Sequence, residues 1–231
     1  MLYSAENGQQ LALMDGTYIT AFRTGAVAIH AMNLLAKPDF YEIGWIGLGI
    51  TARAAFLVLA DVFRDRPLKI KLMRYKNQAE AFASKFSGCG NIVFKLCDKI
   101  EDVMQNSDVI LSCPTYTEDD FASPEIYKPG VTIIPVHTRG FMACDLVFDK
   151  IFADDEGHVK SFAYFNNFRQ FAEISDVVNG LISGRENNEE RILAYNIGLA
   201  IHDIHIANRI YQMLDNAPDL ALSEASEKYW L

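Results

Sequence analysis

The sequence predicts an α/β fold built on a doubly wound parallel sheet, and three observations predict it. Short apolar runs alternate with helical patterns over about residues 41–136, which calls for parallel strands joined by right-handed crossovers. A glycine turn, Gly47-Leu48-Gly49, links the first of those runs to its helix. The chain has 231 residues, half of them hydrophobic and 22% charged, enough for one large core or two small ones.

Taken in order, "QLALMDGTYIT" (Gln10–Thr20) alternates around Asp15-Gly16 and reads as a β-hairpin. A helix is expected over about Thr24–Ala36. Pro38 stops it, because the residue ahead of a proline is pushed out of the helical region. Strands are then expected at Tyr41–Ile46, Leu68–Arg74, Asn91–Leu96, Ser107–Cys113 and Gly130–Val136. The helices between them are "ITARAAFLVLADVF", "NQAEAFASKF" and a short one from about Asp98. One more strand is expected near Lys150–Asp154. A long helix, about Asn188–Leu214, closes the pattern, with Leu199, Asp203, Ile206, Ile210 and Met213 on one face. Asp203 interrupts that apolar stripe and therefore needs a hydrogen-bond or ion-pair partner from another segment.

The formal net charge of −9 and the lack of a basic patch argue against a nucleic-acid partner. The four cysteines, Cys89, Cys97, Cys113 and Cys144, form no CxxC pair and show no metal-ligand spacing. Buried reduced thiols in a cytosolic protein are the expectation. "FADDEGH" (Phe152–His158) is rich in carboxylates, but carboxylates after a strand serve as caps and turns, so no metal is assigned. The first ten residues have no signal-peptide pattern, and runs such as "AAFLVLA" are too short to span a bilayer. A soluble cytoplasmic protein without a membrane partner is expected.

Gly47, Gly49 and Ala52 have G-x-G-x-x-A spacing, between a strand and a helix, at the start of a βαβ series. That is the context dinucleotide binding requires. Gly47 allows the tight turn, Gly49 lets the backbone approach a pyrophosphate, and Ala52 lets helix and strand pack closely. Ile50 and Thr51 open the helix whose free N–H groups face the phosphates. The end of the second strand selects the cofactor: a carboxylate there holds the ribose of NAD, an arginine accommodates the 2′-phosphate of NADP. The sequence there is "LMRYKN". Arg74 and Lys76 stand in place of an acid, which favours NADP(H) among NAD(P) cofactors.

With these pieces in order, the chain resembles the ornithine cyclodeaminase/mu-crystallin family. "LALMDGTYITAFRTGA" resembles the family's MDG-x-x-[IL]-T-x-x-RT-x-A block. "GLGITAR" matches its cofactor loop, with Thr51 in place of the usual Gln. "MRYKNQAEAFA" resembles an NADP-type second strand and its helix, and "GRENNEERILAYNIGLAIHDIHIANRIY" resembles its closing block. The resemblance covers essentially the whole chain. It implies a Rossmann-type domain over 39–190 and a partial substrate and dimerisation domain in 1–38. The C-terminal helix, 191–231, would return toward the N-terminal segment. It also implies a homodimer and an amino-acid or imine substrate. The implied chemistry is conversion of ornithine to proline and ammonia, or a related amino-acid or imine redox reaction such as NADPH-dependent ketimine reduction.

By the same resemblance Arg23 binds the substrate carboxylate, which its planar fork suits. Thr20 and Thr24 help as hydroxyl donors or a helix cap, and Ser112 and Thr115 lie near the nicotinamide. The sequence departs from the family twice. Only thirteen residues precede Met14, where the family has about a half-domain with further cations. The expectation is a truncated gene, an upstream start, or a separate chain that supplies the missing part. In that last case the protein would be one subunit of a split enzyme, or else a non-catalytic cofactor-binding remnant. In "IIPVHTRGFMACDL", Arg139 falls on the family's catalytic Asp, Ala143 on its Lys and Asp145 on its Glu. Arginine stays protonated at neutral pH and cannot act as a base. It can serve as a second carboxylate binder, with His137 as a substitute acid or base.

Overall fold

The computed structural model describes residues 1–214 and Pro218. The remainder of the expected C-terminal segment, residues 215–217 and 219–231, lies outside the described residues. Two short antiparallel strands open the chain, β1 (Leu2–Tyr3) and β2 (Gln10–Ala12). The hairpin expected over Gln10–Thr20 does not form. Asp15 instead caps helix α1 (Gly16–Leu35), its carboxylate accepting a hydrogen bond from the Thr17 N–H at 2.8 Å. An Asp-Gly pair suits a tight turn and a helix start alike, because Asp is a strong N-cap. The strand that pairs with Gln10–Ala12 lies upstream of it, which leaves Asp15 free to start the helix. The helix thus begins before Thr24, so Thr20, Arg23 and Thr24 lie inside it. Neither threonine is a cap, and Arg23 is not beside the free N–H groups of a helix end.

The next elements fall within two residues of their expected limits. They are β3 (Glu42–Ile46), α2 (Ile50–Val62), β4 (Leu68–Met73), α3 (Gln78–Lys85), β5 (Ile92–Cys97), α4 (Ile100–Met104), β6 (Val109–Ser112) and β7 (Thr132–Pro135). After them come β8 (Lys150–Ala153), α5 (Glu156–Val159), β9 (Phe171–Glu173) and α6 (Ile174–Val178). The single long helix expected over Asn188–Leu214 is instead a strand, β10 (Ile192–Tyr195), and a helix, α7 (Ala200–Met213). Four consecutive apolar residues carry no helix or strand period of their own. Here they fill the slot between β7 and β8, where all four are buried. Gly198, at φ +115°, breaks the chain before α7.

Strands β3–β10 form one parallel sheet in the order β5-β4-β3-β6-β7-β10-β8-β9. The direction of winding reverses between β3 and β6, and a crevice outside the carboxyl ends of strands at such a point is the usual ligand site of this architecture. One face of the sheet packs its apolar residues with α1, α2 and α3, including Trp45, Phe56, Phe82 and Phe86. The other face is covered by α4, α5 and short 3-10 turns, with Tyr127, Phe141, Phe148 and Tyr195 fully buried or nearly so.

Two contacts orient α1. At its C-terminal end the Leu35 carbonyl accepts hydrogen bonds from Thr132 Oγ1 at 3.2 Å and Arg185 Nε at 2.8 Å. That end is therefore tied to the start of β7, and the N-terminal half runs toward the carboxyl edge of the sheet. Midway, a side chain at Gly25 would come within 2.5 Å of the Ala55 backbone nitrogen. Glycine thus lets α1 cross α2 at close range, two residues from Arg23.

Candidate cofactor and substrate site

The carboxyl edge of the sheet carries nearly all the residues singled out from the sequence. Beyond β3, Gly47 has φ +75°, and a Cβ there would lie 2.6 Å from Pro114 N and 2.7 Å from Cys113 C. Only glycine fits both the conformation and the space. Gly49 is the N-cap of α2, with no side-chain cap, and a Cβ there would meet nothing within 4 Å. The backbone at Gly49 is thus open on the side a phosphate would approach. The first N–H groups of α2, from Ile50 and Thr51 onward, have no intrahelical partners. Ala52 is fully buried against the sheet. The cradle fits a dinucleotide pyrophosphate: a tight turn, an open backbone and an uncapped helix start.

At the end of β4, Arg74 and Lys76 are both exposed. Arg74 is not free. Its Nε donates to Glu80 Oε1 and its Nη1 to Asp98 Oδ1, each at 2.8 Å. Lys76 adopts φ +52° and lies over the Tyr75 ring, 5.2 Å from its centre.

Ser112 ends β6 and His137 stands two residues past β7, and the structure brings them together. Ser112 Oγ lies 2.7 Å from His137 Nε2. Ser112 is fully buried, and the imidazole packs against both Phe121 and Phe141. Burial pushes the His137 pKa down to about 4, against a smaller opposing effect of the Arg139 backbone. The ring is neutral at neutral pH, so it is a hydrogen-bonding partner there and not a store of protons. Thr115 is exposed in the loop after β6.

Arg139 lies apart from this pair. It lines an open cleft of about 690 Å³ with Asp119, Asp145, Met142, His158 and Phe162. Its guanidinium has no hydrogen bond or ion pair among the described residues. Asp145 is 1% exposed and accepts a hydrogen bond from the Tyr195 hydroxyl at 2.9 Å. Burial raises its pKa to about 7, although the Tyr195 bond opposes the rise.

Arg23 is on the opposite side of the sheet, on α1. Its side chain is only 14% exposed, and its Nε donates to Asp203 Oδ1 on α7 at 3.2 Å. This is the partner that the stripe of α7 required for Asp203. The terminal nitrogens lie against Gly198, where a Cβ would come within 2.9 Å of both. Among the described residues, Nη1 and Nη2 donate to nothing. The loop from Asn196 to Leu199 that holds this arrangement is fixed in turn. The Gly198 N–H donates to Asp154 Oδ2, and Asn196 N–H donates to the Pro135 carbonyl at 3.0 Å. Thr20, Arg23 and Thr24 share one face of α1 by their spacing.

Sequence reasoning missed Gly198, the Asp145–Tyr195 pair and the carboxylates on Arg74. Gly198 was visible as a glycine, but its role depends on Arg23, 175 positions earlier in the chain.

Comparison with known proteins places these features in context. The model of the ornithine cyclodeaminase/mu-crystallin family matches residues 1–217. A Δ(1)-pyrroline-2-carboxylate reductase of Bacillus cereus is 29% identical over 92% of this chain and 69% of its own. The structure of Thermococcus litoralis Δ(1)-pyrroline-2-carboxylate reductase in complex with NADH and L-proline superposes with a TM-score of 0.80. It is 26% identical, covering 91% of this chain and 69% of that one. An archaeal alanine dehydrogenase dimer with bound NAD gives 0.78 at 26% identity, over 91% and 68%. The chain thus spans about two thirds of the length of these relatives.

Proposed function

The chain belongs to the ornithine cyclodeaminase/mu-crystallin family, and on that premise we propose that it is an NAD(P)-dependent reductase of imine carboxylates, cyclic ketimines among them. The observation that carries this reading is Arg23. A largely buried guanidinium has two donor nitrogens with no acceptor among the described residues, at the carboxyl edge of a dinucleotide-binding sheet, and a carboxylate accepts from such a fork through two parallel bonds. Gly47, Gly49, Ile50, Thr51 and Ala52 would hold the pyrophosphate, and Arg74 and Lys76 the adenosine end. A bound nicotinamide cofactor would supply the hydride for the imine carbon.

The chain's own residues do the rest. Arg23 clamps the carboxylate, with Thr20 and Thr24 on the same helical face. Asp203 holds Nε so that the terminal nitrogens stay oriented. Ser112 and His137 offer a neutral polar pair at the ends of β6 and β7, with Thr115 nearby in the following loop. Arg139, a second cation without an ion-pair partner among the described residues, is available to a carboxylate over the cleft. Imine reduction is favoured over cyclisation of ornithine because Arg139 stands where the cyclodeaminase pattern needs a base. The pyrroline-carboxylate reductases named above support the same choice.

We further propose that the protein works as a homodimer. Ile201, Ile204 and Met213 of α7 are exposed apolar side chains, as is Leu13 ahead of α1. The archaeal alanine dehydrogenase is a dimer. Among the described residues, no helix is long and apolar enough to cross a membrane.

The test is to supply the purified protein with NADH or NADPH and Δ(1)-pyrroline-2-carboxylate, and separately with NAD and ornithine. Loss of reduced-cofactor absorbance with the imine carboxylate, and none with an imine lacking the carboxylate, is the expected result. Turnover of ornithine in preference would move the assignment to cyclodeamination. No turnover of either would leave a non-catalytic cofactor-binding protein.

A further inference from the structure

We infer that Glu80 and Asp98 act as a latch on Arg74 that holds back binding of the cofactor 2′-phosphate, so these two carboxylates help set the choice between NADH and NADPH. This rests on the reading of the glycine cradle as a nicotinamide-dinucleotide site.

The Arg74 N–H donates to the Cys97 carbonyl at 2.9 Å, which extends the β4–β5 ladder by one residue. Arg74 and Asp98 are therefore neighbours across the ends of two parallel strands. Glu80 approaches from the first turn of α3. Both carboxylates bind the guanidinium at 2.8 Å, through different nitrogens. By residue type alone, "RYK" offers two cations to a phosphate. In three dimensions Arg74, Lys76, Glu80 and Asp98 form a group with no net charge.

A 2′-phosphate carries about two negative charges. To use Arg74 it must displace Glu80 and Asp98, and it meets their repulsion until it does. A free ribose 2′-hydroxyl faces neither cost, since it is neutral and can donate to a carboxylate. All three side chains of the latch are exposed. Exposed ion pairs are weak, so the latch can open. It lowers NADPH affinity and does not abolish it.

The experiment measures NADH and NADPH binding by nicotinamide fluorescence in the full chain. The set is the unaltered protein, Asp98→Asn, Glu80→Gln and the double variant. Two exposed pairs of ordinary strength predict a rise in NADPH affinity of roughly threefold to tenfold in the double variant, with NADH changing less than twofold. In an Arg74→Ala background, the same two substitutions should give no such gain. A gain that persists there would overturn the latch and reassign the effect to general charge. An unchanged NADPH-to-NADH ratio, with both cofactors bound, would overturn the inference and leave the cofactor reading intact. Binding of neither cofactor would overturn both.

Discussion

The loop after β3 and the loops after β7 and β10 lie on the same edge of the same sheet, yet they are built in different ways. The β3 loop is a backbone object. Gly47 turns at positive φ beneath Pro114, Gly49 is bare, and α2 begins without a side-chain cap. The later loops are side-chain objects. Ser112 meets His137, Tyr195 meets Asp145, and Asp203 meets Arg23, from segments distant in the chain. A backbone site depends on a few positions a fixed distance apart. A side-chain site depends on which strands become neighbours, and it can change its residues while keeping its place.

The largest expected effect separates the two glycines of the β3 loop. Gly47→Ala forces a side chain into positive φ and into the Cys113–Pro114 backbone. It should cost about 3 kcal/mol of stability and abolish cofactor binding. Gly49→Ala should stay within about 0.5 kcal/mol of the parent in stability while weakening cofactor binding, because its methyl group stands only in the way of a ligand. Denaturant melts and cofactor titrations of both variants check this. Equal loss of stability at the two positions would break the account of the loop as a backbone cradle.

The next effect belongs to the side-chain region. Burial pushes the folded pKa of Asp145 up to about 7, well above the usual carboxylate range. The folded state therefore keeps its proton after the unfolded chain has released it, and stability falls as pH rises from about 4 to about 7. Asp145→Asn keeps an acceptor for Tyr195 and removes the titration. Its advantage over the parent should grow across that window and level off above it. Melts at pH 4.5, about 6 and about 8 read this directly. A constant difference would mean that Asp145 is ionised throughout.

The smallest effect tests the clamp. Arg23→Lys retains charge and loses the fork. It should raise KM for an imine carboxylate roughly tenfold with little change in kcat, and leave NADH binding as it was. A fall in kcat with KM unchanged would place Arg23 in a different role.

Much of the fold was legible because its signals are local. The strands from Glu42 to Pro135 and their helices announce themselves by alternation, and the glycine loop by spacing inside that alternation. Three errors share one cause. "MDG" served a turn and a helix cap equally, "ILAY" served a strand and a helix equally, and Arg23 lay near a helix start only because that start was placed too late. In each case the local signal was degenerate, and a distant partner resolved it: β1 for Gln10–Ala12, β7 and β8 for Ile192–Tyr195, Asp203 and Gly198 for Arg23.

The division follows the range of the forces involved. Spacing along the chain was enough to establish the parallel sheet, the cradle at Gly47 and Gly49, and the need of Asp203 for a partner, because backbone geometry and burial patterning act over a few residues. Which partner Asp203 takes, whether Arg74 is free or latched, and whether His137 carries a proton depended on side chains brought together from far apart. Desolvation and ion pairing act over a few ångströms of space, and sequence distance does not report that space.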